Sequence, residues 1–124
     1  MDMKTLKWNS DGLMPAIAQD YATGEVLMMA WMNVESLQIT LDSGVAVYYS
    51  RSRKALWRKG ETSGQTQQIK SVQTDCDRDS LLLLVDQTGV ACHTGRRSCF
   101  YNALSADGEH VMTQPSIDPS ELYS

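Results

Sequence analysis

The sequence predicts a mainly β (α+β) chain: a compact mixed or antiparallel sheet, or a barrel-like core, with one short helix. Three observations carry this. Segment 45–50 is dense in β-branched and aromatic residues, which fit a pleated, half-buried surface. The unbroken apolar run 81–85 has the length of a buried strand and falls far short of a membrane span. Helical spacing is confined to 34–43, which lies between a good N-cap, Asn33, and a stop residue, Gly44.

The elements follow in order. Residues 2–15 read as a lead-in anchored by Trp8 and Leu13, with a turn at Asp11-Gly12. A strand is expected over 15–21; the hairpin residues Ala22-Thr23-Gly24-Glu25 return the chain into a second, over 26–31. Its methionines and Trp31 read as core filling. In the helix, Glu35 and Ser36 fall in the first turn, and Val34, Leu37, Ile39 and Leu41 form the expected apolar stripe. The strand 45–50 leads into a basic segment, then a loop over 60–64. Residues 65–74 alternate and run into an acidic stretch. A central strand over 80–85 turns at 86–89 and is expected to pair with a strand over 90–95 that breaks at Gly95. Extended structure resumes over 96–101. Residues 102–124, with Pro115 and Pro119, form a tail expected to be loosely held.

A chain of 124 residues is one domain by length, and a core of this size gains from pairing with a second copy. The beginning of the sequence lacks the apolar stretch of a secretory signal, so a cytoplasmic location is expected. In a reducing compartment three cysteines suit metal ligation or free thiols better than a disulfide framework. The net charge of -4 is unevenly placed: 102–124 holds Asp107, Glu109, Asp118 and Glu121 and no Lys or Arg, which leaves the rest neutral. Within that neutral body Arg51, Arg53, Lys54, Arg58 and Lys59 cluster, which suggests a local anion site rather than a nucleic-acid surface.

The stretch Thr74-Asp75-Cys76-Asp77-Arg78-Asp79-Ser80 concentrates the chemistry. If it is extended, Asp75, Asp77 and Asp79 share one face and Cys76 takes the other. Oxygen ligands so spaced suit magnesium, and a thiolate suits zinc. An acidic solvated turn explains the same residues without a metal. The EF-hand reading fails, because its sixth and twelfth positions would be Ser80 and Asp86. Zinc-deaminase, P-loop and Rossmann signatures are missing. Cys92 and Cys99, together with Cys76, make a three-thiolate set, the ligand count of a catalytic zinc with one open position; buried inert cysteines are the competing explanation. His93, beside Cys92, is the candidate base. In a hairpin of 80–86 with 90–95, Cys92 would face Leu83, roughly 23 Å along the strand from Cys76. Either the chain folds back sharply or Cys76 comes from a second subunit. The 60–64 loop offers backbone N–H groups and the Thr62 and Ser63 hydroxyls to a phosphate.

Taken together, several segments resemble phosphoribosyl-AMP cyclohydrolase, a histidine-biosynthesis enzyme family. They are Val26-Leu27-Met28-Met29-Ala30-Trp31-Met32-Asn33, Tyr49-Ser50-Arg51-Ser52-Arg53, Leu56-Trp57-Arg58-Lys59-Gly60-Glu61-Thr62-Ser63-Gly64, Asp75-Cys76-Asp77-Arg78-Asp79, and Cys92-His93-Thr94-Gly95 with Ser98-Cys99-Phe100-Tyr101. The resemblance implies hydrolytic opening of the adenine ring of 1-(5-phosphoribosyl)-AMP between N1 and C6, in an intertwined homodimer. It implies one zinc per subunit, held by Cys76 of one copy and Cys92 and Cys99 of the other, and magnesium at Asp75, Asp77 and Asp79. His93 is then the expected proton carrier, with His110 as helper. Arg51, Arg53, Trp57, Lys59, Gly60, Glu61, Thr62, Ser63 and Gly64 are the candidate contacts to a small nucleotide. Neither nucleic acid nor membrane is an expected partner. The alternative is a zinc-stapled, non-catalytic nucleotide-binding or interaction domain, which would need a fourth protein ligand.

Overall fold

The computed structural model describes residues 3–122; the first two residues, where the lead-in starts, and the last two of the tail lie outside it. β1 (Met14–Asp20) and β2 (Val26–Met32) form an antiparallel hairpin, with Gly24 at φ 79° in its turn. α1 (Val34–Ser43) leads to β3 (Val47–Ser50), which pairs with β4 (Ala55–Arg58). β5 (Gln67–Thr74) and β6 (Leu81–Gln87) make a second antiparallel hairpin. β6 then lies parallel to β1, with Ala16 opposite Leu81 and Asp20 opposite Val85, so the six-stranded sheet β4-β3-β2-β1-β6-β5 is mixed. The chain just ahead of β3 also reaches the far edge: Ile69 N–H donates to Gly44 O (2.8 Å) and Ala46 N–H to Gln67 O (3.0 Å). These bonds curl the sheet toward a barrel, as the mainly β reading expected.

Alternation sets the core. Met14, Ala16 and Ala18 of β1 and Leu81, Leu83 and Val85 of β6 point inward, against Leu27, Met28, Met32, Leu37 and Tyr48. Leu13 is buried, and Trp8 packs against the core as an anchor should. α1 starts on a reciprocal cap: Ser36 N–H donates to Asn33 Oδ1, and Asn33 N–H to Ser36 Oγ. Its stripe differs from the expected one. The buried residues are Ser36, Leu37 and Thr40, while Val34 and Leu41 are exposed. The cause is polar: Thr40 Oγ1 accepts from Val47 N–H (2.9 Å) and donates to Val47 O (3.1 Å), which ties the helix to β3 through an inward hydroxyl.

Three further expectations are corrected. The basic segment contains β4, formed because Tyr49 and Leu56 come opposite one another across a four-residue turn. Residues 90–95 form no strand, and extended pairing returns only at Asn102. Both edges of β6 are already taken, by β1 and β5, so no edge remains for 90–95, and the 86–89 turn yields to a strand running through Gln87. The tail carries a ribbon of β7 (Asn102–Ser105) and β8 (Gly108–Val111), then α2 (Pro119–Leu122) with Leu122 buried. The ribbon forms a separate two-stranded sheet, and Phe100, Leu104, Val111 and Met112 stand exposed on and beside it. No helix among the described residues is long and apolar enough to cross a membrane.

Candidate active site

The 90–99 segment folds into a tight loop. Ala91 N–H donates to Arg97 O (3.0 Å), Cys92 N–H to Arg96 O (3.1 Å) and Gly95 N–H to Cys92 O (3.0 Å). Cys99 N–H bonds Leu27 O (2.7 Å) and Ser98 Oγ bonds Val26 O (2.7 Å), which seats the loop on the start of β2. The closure brings Cys92 and Cys99 close enough for the charge of one to act on the other. Thr94 Oγ1 lies 3.0 Å from Cys92 Sγ. Cys99 as a residue is exposed, yet its sulfur is crowded; lost solvation, then the negative charge of Cys92, push its thiol up to about 12. Two neighbouring sulfurs suit a thiophilic cation, which would stabilise both as thiolates. Zinc fits this donor set, one sulfur short.

Cys76 is not with them. It sits in the turn between β5 and β6, beyond the Leu81 end, whereas Cys92 follows the Gln87 end. The seven residues of β6 separate the two ends by roughly 23 Å at strand rise. His93 is exposed beside Cys92, and His110 lies on β8 opposite Ala103, on the exposed ribbon.

The carboxylates do gather, though not by alternation. β5 ends at Thr74, and 75–80 is a turn with Arg78 at φ 61°. Asp75 Oδ1 accepts from the N–H of Asp79 (3.0 Å) and of Ser80 (3.2 Å). Oxygens of Asp75, Asp77 and Asp79 lie within 4.8 Å of one another, the one such cluster of potential ligands among the described residues. A hydrogen bond with Asp75, some desolvation and the charges of Asp75 and Asp77 raise Asp79, while Asp75, against its own desolvation, is lowered by the bonds it accepts. All-oxygen donors at this spacing fit a hard divalent ion such as magnesium.

The basic segment and its loop build one hollow of about 340 Å³, lined by Arg53, Trp57, Arg58, Lys59, Gly60, Glu61, Thr62 and Ser63. Gly60 has φ +83°, and an added Cβ would meet the Gln65 and Thr66 backbone at 2.5–2.7 Å, so the loop closes only on glycine. Gly64, the last predicted loop residue, donates its N–H to Gly60 O (2.7 Å). Arg51 lies elsewhere, 4.7 Å from the Trp31 ring, in an adjoining hollow of about 640 Å³ with Met29, Tyr49 and Trp57. Trp57 is the wall common to both, its ring 5.1 Å from that of Tyr48. Met29 and Trp31 therefore face a cavity rather than fill the core.

Two supports of the thiol loop carry no local sequence signal. Tyr48 Oη donates to Gln67 Oε1 (2.6 Å), and Gln67 Nε2 to Gln87 Oε1 (2.8 Å), a buried polar chain within the barrel end. Burial, then the charge of Cys99, raises the Tyr48 hydroxyl, so that end of the chain lies near the thiols. Arg97 bonds Asp20 (3.0 Å), Glu25 (3.3 Å) and Gly89 O (2.9 Å), which pins the loop to the β1–β2 hairpin. The Thr23 hydroxyl, then the Thr23 N–H and Arg97, hold the Asp20 carboxyl below its ordinary value against the opposing effect of burial. A depressed folded value gives stability that is complete above the ordinary aspartate value of about 3.9 and is lost as pH falls through the folded one. Asp20→Asn should therefore melt at a lower temperature than wild type at pH 7, with the gap closing toward pH 3 in thermal scans; a gap independent of pH would refute this charge assignment.

Thiols and carboxylates held on loops at the two ends of one curled sheet, with a basic and aromatic hollow beside the thiol loop, define the class: a small enzyme domain equipped for an anionic substrate. A family model described as phosphoribosyl-AMP cyclohydrolase matches residues 28–101. A relative so named from Magnetococcus marinus is 63% identical over 122 residues, covering 98% of this chain and 95% of its own. Relatives of the same name from Alkalilimnicola ehrlichii and Rhodospirillum rubrum are 62% and 59% identical, covering 98% and 95% of this chain and 85% and 83% of their own. The chain belongs to the phosphoribosyl-AMP cyclohydrolase family, a family of enzymes.

Proposed function

We propose that this protein hydrolyses the adenine ring of 1-(5-phosphoribosyl)-AMP in the cytoplasm, as a step of histidine biosynthesis, and does so as a homodimer with zinc and magnesium. The observation that carries the metal reading is the placement of two thiols together at one end of the sheet and the third at the other. Cys92 and Cys99 of one subunit, with Cys76 of the partner subunit, would complete the zinc ligand set. The exposed β7–β8 ribbon supports pairing, since an uncovered two-stranded ribbon is marginally stable in water.

Zinc in a three-thiolate site supplies an acidified water, and hence a nucleophile near neutral pH. The chain supplies the rest. The basic hollow and the Gly60 loop take the phosphates, and Trp57 offers a face on which a base can stack. His93 accepts one proton of the water that adds at C6 and returns it to N1 as the N1–C6 bond breaks, while the water's other proton passes to the exocyclic nitrogen, which becomes the carboxamide NH2. The water oxygen ends in the carboxamide. Asp75, Asp77 and Asp79 would hold magnesium to help orient the phosphates.

The test is activity, followed by ultraviolet absorbance as the ring opens, before and after chelation, with zinc and magnesium restored separately. Loss on chelation and recovery with zinc are expected. Full activity in chelated, metal-free protein would refute the zinc reading.

A further inference from the structure

Lys59 was expected among the phosphate contacts, but the structure turns its side chain toward the thiol loop. Lys59 Nζ donates to the carbonyl of Ala91, the residue before Cys92, at 2.5 Å. Its backbone N–H bonds Ala46 O (3.1 Å), so the end of β4 is fixed to the same barrel end. The ammonium stands 5.9 Å from the Trp57 ring and is half-buried. Burial holds its pKa below the ordinary lysine value, and the charges of Cys99 and Cys92, both close enough to act on it, oppose that effect. Arg53, which lines the same hollow, is exposed, whereas Lys59 is half-buried against the thiol loop, so the two cations occupy different electrostatic settings.

We infer that Lys59 is a positioning residue for the metal centre: its fixed positive charge balances the thiolate set, and its bond to Ala91 holds the loop that carries Cys92. The inference rests on the zinc reading above. Three thiolates around a divalent ion leave one excess negative charge, which opposes the acidification of a bound water. A cation held in a half-buried setting offsets that charge with little solvent screening. The remaining basic residues of the hollow are then left to the phosphates.

The experiment measures zinc affinity of the full-length protein by competition with a chromophoric chelator, at two ionic strengths, for wild type, Lys59→Gln, Lys59→Arg and Arg53→Gln. Lys59→Gln keeps a hydrogen-bond donor and removes the charge. It should bind zinc about tenfold or more weakly, the range for residues just behind metal ligands. Lys59→Arg should recover most of that loss, and Arg53→Gln should bind zinc like wild type. Equal affinity in wild type and Lys59→Gln would overturn the inference alone, as would an equal loss in Arg53→Gln. If Lys59→Gln is unfolded by circular dichroism, the Arg variant decides: a loss there as large as zinc-site disruption overturns the charge role. Wild type without zinc affinity overturns the metal reading together with this inference.

Discussion

Cys92→Ala and Cys76→Ala should each lose ring opening by about a thousandfold or more under the proposed shared zinc site, since groups that act as one unit fail together. Refolded together, the two inactive proteins should recover about a quarter of wild-type activity, because half of a random mixture of twofold dimers is mixed and each mixed dimer rebuilds one of its two sites. The reason is geometric. β6 holds Cys76 and Cys92 at its opposite ends, too far apart for one ion within one chain. In the mixed dimer, the Cys76→Ala subunit still offers Cys92 and Cys99, and the Cys92→Ala subunit still offers Cys76. Native mass spectrometry establishes that mixed dimers are present. Their presence without any activity would rule out a shared site.

Gly95→Ala should lower the melting temperature by about 10 °C or more, on the scale of about 2–5 kcal/mol for backbone strain added to overpacking. Gly95 has φ +85°, a conformation that side chains rarely tolerate. An added Cβ would stand 1.8 Å from Ile117 O and 3.3 Å from Pro115 Cβ. The segment beyond the ribbon wraps this residue, with the N–H groups of Ser116 (2.9 Å) and Ile117 (3.1 Å) both donating to Gly95 O. Either that segment leaves or the Cys92 turn opens, so activity should fall as well. Thermal unfolding within about 2 °C of wild type would contradict this packing.

Much of the fold was legible. The helix is bounded by Asn33 and Gly44, as the caps required, and the hairpin at Gly24 forms where its turn residues placed it. The ligand types were legible too, because Asp and Cys announce their chemistry wherever they stand. What failed was pairing. The 90–95 segment alternates enough to be a strand, but it met a β6 with both edges occupied. The acidic stretch gathers through a turn at Arg78, not by the alternation of a strand. Thr40, Gln67 and Gln87 point inward although polar, because Thr40 bonds the backbone of Val47 and the two glutamines find buried partners about twenty positions away.

The amino-acid order alone determined the helix caps, the hairpin turn at Gly24, and the kinds of group available for chemistry. Those depend on neighbours within a few positions. Only the tertiary structure decided that β6 runs beside β1, that Lys59 faces the thiol loop, and that Cys76 stands apart from Cys92 and Cys99. The physical reason is that strand partners and buried contacts are chosen by competition among distant segments for a limited number of edges and cavities, and no local period records who wins.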